Sequence, residues 1–299
     1  MRDFRKDRSL TLRDRHWNVT VLPAHGGSLQ RCEYDGIGVL RPVDQLHVRE
    51  GEVIACCYFP LIPFSNRVEN GRFDFAGATV RLRENVPGTR HALHGHGWQA
   101  EWHLIDRNEA TCSLAFRHEA TAHWPWTYEG TQTFTIEERA LHIRLCIRNL
   151  SRTSMPCGLG FHPFLPAHAG SRLQLDAQRV WNGSAREFPR ELVPVPAPLS
   201  FGEGPPISQR VGTDHCFHGW RRRAVVTSGR SDHTVVIEGC ENTDYVIVYV
   251  PGASYFCVEP VTHAVNAMNL DDPTAAGLWT LEPDAAREIS TSIRIEGGQ

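Results

Sequence analysis

Apolar and polar residues alternate with a period near two through much of this 299-residue chain, in short runs enriched in β-branched and aromatic side chains. The runs are His16 to Leu22, Gly77 to Leu82, Thr111 to Arg117, Tyr128 to Ile136, Leu141 to Asn149, Val235 to Glu238 and Tyr245 to Val250. Each predicts a strand, because a two-residue period sends successive side chains to opposite faces of an extended chain. Turn residues separate the runs at Asn70-Gly71, Pro87-Gly88, Asn182-Gly183 and Pro251-Gly252. Helical spacing is scarce, and only the polar stretch from Asp284 to Ile289 is expected to form a turn of helix. Many short strands with frequent turns predict an all-β sandwich or barrel. The proline-rich stretch from Pro189 to Pro206 is expected as a long loop within one domain spanning residues 1–299, since strands of the same style flank it.

Composition narrows the class of partner. Lys and Arg total 31 and Asp and Glu 34, interspersed to a formal charge of -3, which excludes the basic footprint of a nucleic-acid binder. The one basic run, Arg221 to Arg223, is short and is expected as a solvated strand end. Nine cysteines show no C-x-x-C pair and no disulfide framework; several lie in apolar runs, as in Y-F-C-V, and are expected as buried small hydrophobes in a reducing compartment. The N-terminal M-R-D-F-R-K-D-R-S-L alternates charge where a signal peptide is apolar, and no later stretch approaches membrane-spanning length. The expected setting is therefore the cytoplasm, with no membrane partner.

Candidate chemistry gathers at well-separated segments. In F-P-L-I-P-F-S-N-R-V-E-N-G-R-F-D-F-A-G, residues 59–77, Asn66 and Arg67 offer single and forked hydrogen bonds suited to hydroxyls, and Asn70-Gly71 reads as a hairpin turn. The simpler reading of Arg67 is a surface turn ion-paired to Glu69 or Glu84. In H-A-L-H-G-H-G-W, residues 91–98, three histidines sit among glycines, and Trp98 offers a flat face of the kind that stacks on a sugar ring. A turn of satisfied histidines explains the same residues equally well. A metal reading, with His94, His96 and Glu101 as the first motif of a cupin-like metalloenzyme, is the third and weakest alternative, because no glycine follows Glu101 and the second motif has no match.

His162 precedes a proline, which holds it extended, between Phe161 and Phe164, which depress its pKa; a buried structural histidine is the alternative. Asp214 reads most simply as a turn residue capping its own backbone. Glu259 ends the apolar run F-C-V-E and is the charge hardest to explain structurally, because a buried carboxylate is costly unless paired or functional. The proline after it is expected to stop strand pairing.

Taken in order, P-L-I-P-F-S-N-R, N-G-R-F-D-F-A-G, H-A-L-H-G, F-H-P-F, D-H-C-F and V-E-P-V-T-H-A-V-N resemble the aldose 1-epimerase (mutarotase) family from about Gly26 to Asn269. The resemblance implies a large antiparallel β-sandwich, a free hexose as the small-molecule partner, and no metal or organic cofactor. It implies Glu259 as general base at the anomeric hydroxyl, His162 as general acid at the ring oxygen and His94 assisting, with Arg67 and Asp214 holding hydroxyls and Asn66 and Trp98 lining the pocket. The chain has His-Gly-His-Gly-Trp where His-Gly-Gly is usual, and His-Pro-Phe where Ser-Tyr or Thr-Tyr often follows the histidine, as in a more divergent bacterial branch. A hexose phosphate is a variant of the same expectation, with Arg41, Arg72, Arg81, Arg83 and Arg90 available to bind it. A non-catalytic carbohydrate-binding protein on the same scaffold is the competing class.

Overall fold

A computed structural model describes residues 9–43, 55–230 and 232–297, so most of the charged N-terminal run lies outside the described residues. Two antiparallel sheets dominate. The larger has 11 strands, in the order Leu10–Arg13, Trp17–Leu22, Ser28–Tyr34, Tyr58–Leu61, Gly160–Pro166, Tyr255–Val261, Tyr245–Tyr249, Asp214–His218, Arg179–Trp181 and Leu192–Pro194, with Ile37–Gly38 paired to Ser28–Tyr34. The second has 8, in the order His103–Arg107, Thr111–His118, Tyr128–Glu137, Ala140–Asn149, Ala286–Glu296, Thr234–Gly239, Arg223–Thr227 and Arg172–Leu175. The result is an all-β, large antiparallel β-sandwich, with every predicted run in a strand. Among the described residues no helix is long and apolar enough to cross a membrane.

The two sheets meet through inward-facing residues. Tyr58 of the larger sheet lies edge-on to Phe134 of the second, with ring centroids 5.9 Å apart, and its hydroxyl donates to Gln132 Oε1 at 2.7 Å. Tyr58 also packs against Phe161. Because Tyr58 and Phe161 face the sandwich interior, alternation turns Phe59 and His162 to the outer face of the larger sheet. That face is also covered, so the strands Tyr58–Leu61, Gly160–Pro166 and Tyr255–Val261 are buried on both sides. Strands of the second sheet alternate between buried and more exposed positions, as Tyr128–Glu137 does.

Several local expectations are corrected. Asp284 to Ile289 forms no helical turn: Asp284 is a left-handed turn residue, and the long strand Ala286–Glu296 starts two residues later, paired on both sides. Asn70 adopts φ 53 but leads into the strand Arg72–Phe75; the hairpin turn is at Ala76 and Gly77, both with positive φ. The stretch from Pro189 to Pro206 carries the edge strand Leu192–Pro194 and a 3-10 turn at Ala197–Leu199. Arg221, Arg222 and Arg223 face Asp176, Asp244 and Glu296, as a solvated strand end requires. All nine cysteines are free, seven of them buried and Cys146 and Cys240 partly so.

Candidate active site

The prolines that follow His162 and Glu259 open the sheet at these two residues. Phe164 donates its N–H to Cys57 O at 3.0 Å, and Thr262 donates to Leu159 O at 2.9 Å. Alternation then aims the amide position of residue 163 at the Tyr255–Val261 strand and that of residue 260 at the Gly160–Pro166 strand. Both positions are proline, so the two facing donors are absent. The ladder pairs Gly160 with Val261 and Phe164 with Cys257, with nothing between. As expected, Pro260 interrupts regular pairing, but only toward Gly160–Pro166; the ladder to Tyr245–Tyr249 continues through Val246 and Pro260.

His162 and Glu259 stand opposite each other in that gap, with Nε2 3.3 Å from Oε1 and side chains 9% and 4% exposed. The imidazole packs against Phe59, at 4.4 Å, and Phe164, at 4.5 Å, tilted by 29° and 28°, and those two rings also touch each other at 5.8 Å. Phe59, and not Phe161, is thus the second flank. Burial pushes the His162 pKa down to about 3, with Arg41 adding to the effect. Burial raises the Glu259 carboxyl well above its ordinary value, Asp214 raises it further and Arg67 pulls it back. His162 Nδ1 and Glu259 Oε2 are buried with no hydrogen-bond partner among the described residues.

His94 approaches from above the sheet, its ring 5.3 Å from that of His162 and nearly perpendicular. It is tied to Asn66 by a reciprocal pair: Asn66 N–H donates to His94 Nδ1 at 3.0 Å, and His94 N–H donates to Asn66 O at 2.9 Å. Both residues are left-handed, at φ 58 and φ 55, a region where His and Asn are over-represented among non-glycines. Since Nδ1 accepts, the ring proton is on Nε2, and His94 is a neutral donor. Asn66 Oδ1 accepts from the Arg67 backbone at 2.9 Å and from its Nη1 at 3.3 Å, so Asn66 orients Arg67 as well as holding His94. Glu69 pairs with Arg190 instead of Arg67, and the charge of Arg67 acts on Asp214 and Glu259.

Asp214 begins its strand and accepts from Arg186 Nε at 3.0 Å, which replaces the backbone cap expected of it. Arg186 also donates to the Tyr249 hydroxyl at 3.3 Å. Arg186 escaped the sequence reading, although S-A-R-E carries a signal for it: Ser184 and Glu187 form a capping box that fixes the short 3-10 turn bearing Arg186. Of the arginines considered for phosphate, Arg41 is held by Cys56 O and lies 3.6 Å over the Phe164 ring, and Arg72 lies near Asp74.

Trp98 is corrected from lining to support. It is 1% exposed, stacks on Phe59 at 5.4 Å and spends its indole N–H on Leu93 and Gly95 carbonyls. His96 turns away to stack on His118 at 4.4 Å and to meet Tyr128, so it shares no ion with His94. His91 accepts from Asn70 N–H. His263, also missed, takes the Ser65 N–H into Nε2 at 3.1 Å while Nδ1 donates to Ala264 O at 2.7 Å, which fixes the start of the Ser65–Asn66–Arg67 segment.

Gly95 is what lets this loop seat. It has φ 69, and a Cβ there would lie 2.2 Å from Ile62 O. His96 and Gly97 donate to that same carbonyl at 2.9 and 3.0 Å, so it cannot retreat without loss. Gly95→Ala is expected to cost about 3 kcal/mol or more in urea unfolding, from left-handed strain plus backbone overlap. Gly88→Ala, at φ 84 with open space around it, is the control and is expected to cost only about 1 kcal/mol. Equal costs would show that the Ile62 contact does not hold the loop.

The chain matches known proteins over nearly its whole length. The sequence profile of the aldose 1-epimerase family matches residues 8–294. The uncharacterized Escherichia coli K12 protein YphB is 26% identical over 283 residues, covering 91% of this chain and 93% of that one. The crystal structure of an aldose 1-epimerase candidate from Escherichia coli K12 superposes with a TM-score of 0.88 at 25% identity, covering 97% and 99% of the two chains. A galactose mutarotase-like protein from Clostridium acetobutylicum shares the fold, with a TM-score of 0.87 at 18% identity and coverage of 97% and 95%. With motifs, fold and profile in agreement over residues 8–294, the chain belongs to the aldose 1-epimerase family.

Proposed function

We propose that this protein interconverts the α and β anomers of a hexose by acid/base opening and reclosure of the ring. The observation that carries the reading is the Glu259–His162 pair, 3.3 Å apart in the opened ladder. The two oxygens that exchange protons in this reaction, the anomeric hydroxyl and the ring oxygen, sit on one carbon. A base and an acid in near contact reach both at once.

Glu259 takes the proton from the anomeric hydroxyl while His162 delivers one to the ring oxygen. The bond from the anomeric carbon to the ring oxygen breaks, leaving the free aldehyde. Rotation about the adjoining C–C bond and reclosure on the other face run the transfers in reverse. The pair moves between Glu⁻/His⁺ and Glu/His without changing its total protons. Burial raises the carboxyl and lowers the imidazole, which disfavours the separated charges relative to the neutral pair. His94, with Nδ1 committed to Asn66, donates from Nε2 to an oxygen gaining charge but relays nothing. Arg67 and Asp214 hold hydroxyls, and the loop carrying His94 rests on Trp98.

The test is polarimetry on freshly dissolved α-glucose, α-galactose, further hexoses and hexose 6-phosphates. The expected outcome is relaxation faster than buffer for at least one of them. Buffer-rate relaxation across the panel, with sugar binding still seen by calorimetry, would instead make the protein a carbohydrate binder.

A further inference from the structure

Alternation along Tyr255–Val261 puts Cys257 and Glu259 on the same outer face, two residues apart. The proton-transfer scheme has no use for the thiol. Yet a ring nitrogen of His162, Cys257 Sγ and a Glu259 oxygen all lie within 4.8 Å of one another. Nitrogen, sulfur and oxygen donors in one buried trio are the mixed set that zinc takes with three protein ligands and an open fourth position. The 3.3 Å between Nε2 and Oε1 equals an edge of a zinc tetrahedron with bonds of about 2.0 to 2.2 Å, and the sulfur need close by only about 1 Å. A second observation points the same way: Glu259 Oε2 is buried and unpartnered beside the trio.

We propose that His162, Cys257 and Glu259 form an inhibitory site for a borderline-soft divalent cation, zinc above all, whose open fourth position faces the sugar side. Binding forms bonds from the metal to the imidazole nitrogen, the thiolate and the carboxylate. The thiol proton leaves to solvent, together with the carboxyl proton when Glu259 carries it. The metal then occupies both atoms that the anomerisation needs, so zinc and turnover exclude one another. Magnesium, which prefers six oxygens, is rejected by the thiol and the imidazole.

The inhibitory part rests on the proposed anomerase activity; the binding part does not. Zinc chloride titrated calorimetrically into chelator-treated full-length protein is expected to bind at one equivalent per chain, and magnesium chloride not at all. Cobalt(II) is expected to give a thiolate-to-metal charge-transfer band in the near ultraviolet. Cys257→Ser is expected to lose that band and weaken zinc at least about tenfold; should this variant fail to fold, Glu259→Gln must weaken zinc by a comparable factor. Anomerisation by the metal-free protein is expected to fall on adding zinc and to return with EDTA. Absence of stoichiometric zinc, or a cobalt band that survives Cys257→Ser, overturns the site. Zinc binding by a protein that is inactive when metal-free supports the site and overturns the anomerase reading.

Discussion

Glu259→Gln is expected to slow enzymatic anomerisation by at least about 10²-fold, the lower end of what positioned general acid/base catalysis contributes. The substitution preserves size and hydrogen-bonding shape in the gap beside His162 and removes only the capacity to take up a proton. The loss should therefore fall on kcat, with sugar affinity changed little. His162→Asn is expected to cost a comparable factor, and the double variant little more than either alone, because base and acid act in one concerted exchange. A Glu259→Gln protein that keeps activity within a factor of about three would remove the carboxylate from the mechanism.

Acidification is expected to destabilise the fold steeply below about pH 6.5, through histidines held neutral inside it. His263 accepts the Ser65 N–H at Nε2 while Nδ1 donates to Ala264 O, so a second ring proton would point at another donor. Burial pushes it down to about 4, and pushes His96, stacked on His118 and beside Tyr128, down to about 3. The folded pKa is below the unfolded value of about 6.5, so the unfolded chain binds more protons as pH falls through the window from 6.5 to about 4. Each such histidine then costs about 3 kcal/mol by pH 4, and two approach the net stability of many domains. The Glu259 carboxyl, raised by burial, acts in the opposite sense and offsets part of this. Urea midpoints measured from pH 7.5 to 4.5 should fall over this range, and His96→Asn should flatten the slope. A midpoint independent of pH would show that these rings are not held neutral.

Legibility in the sequence followed solvent exposure. Strands of the second sheet, such as Tyr128–Glu137, alternate buried and more exposed residues, and their pattern can be read directly. Gly160–Pro166 and Tyr58–Leu61 are covered on both faces and carry prolines, so no alternation marks them as strands. The start of Ala286–Glu296 was misread for a related reason: its first three residues, Ala286, Arg287 and Glu288, are all exposed, and pairing with Ala140–Asn149, not periodicity, makes them a strand. Trp98 was misassigned because an aromatic in a glycine loop looks the same whether it faces a ligand or, as here, Phe59.

By itself the sequence determined the strand-rich class, the free thiols expected of scattered cysteines, and two residues singled out locally: His162, stiffened by its proline, and Glu259, a charge ending an apolar run. Those properties are local, set by φ restriction, by period and by the cost of burying charge. Only the tertiary structure decided that the two face each other at 3.3 Å, that Phe59 joins Phe164 against the imidazole, and that Arg186 reaches Asp214. The reason is register: which residues oppose one another across strands far apart in the chain is chosen by packing both faces of the sheet at once, and a slip of one residue would turn His162 into the core.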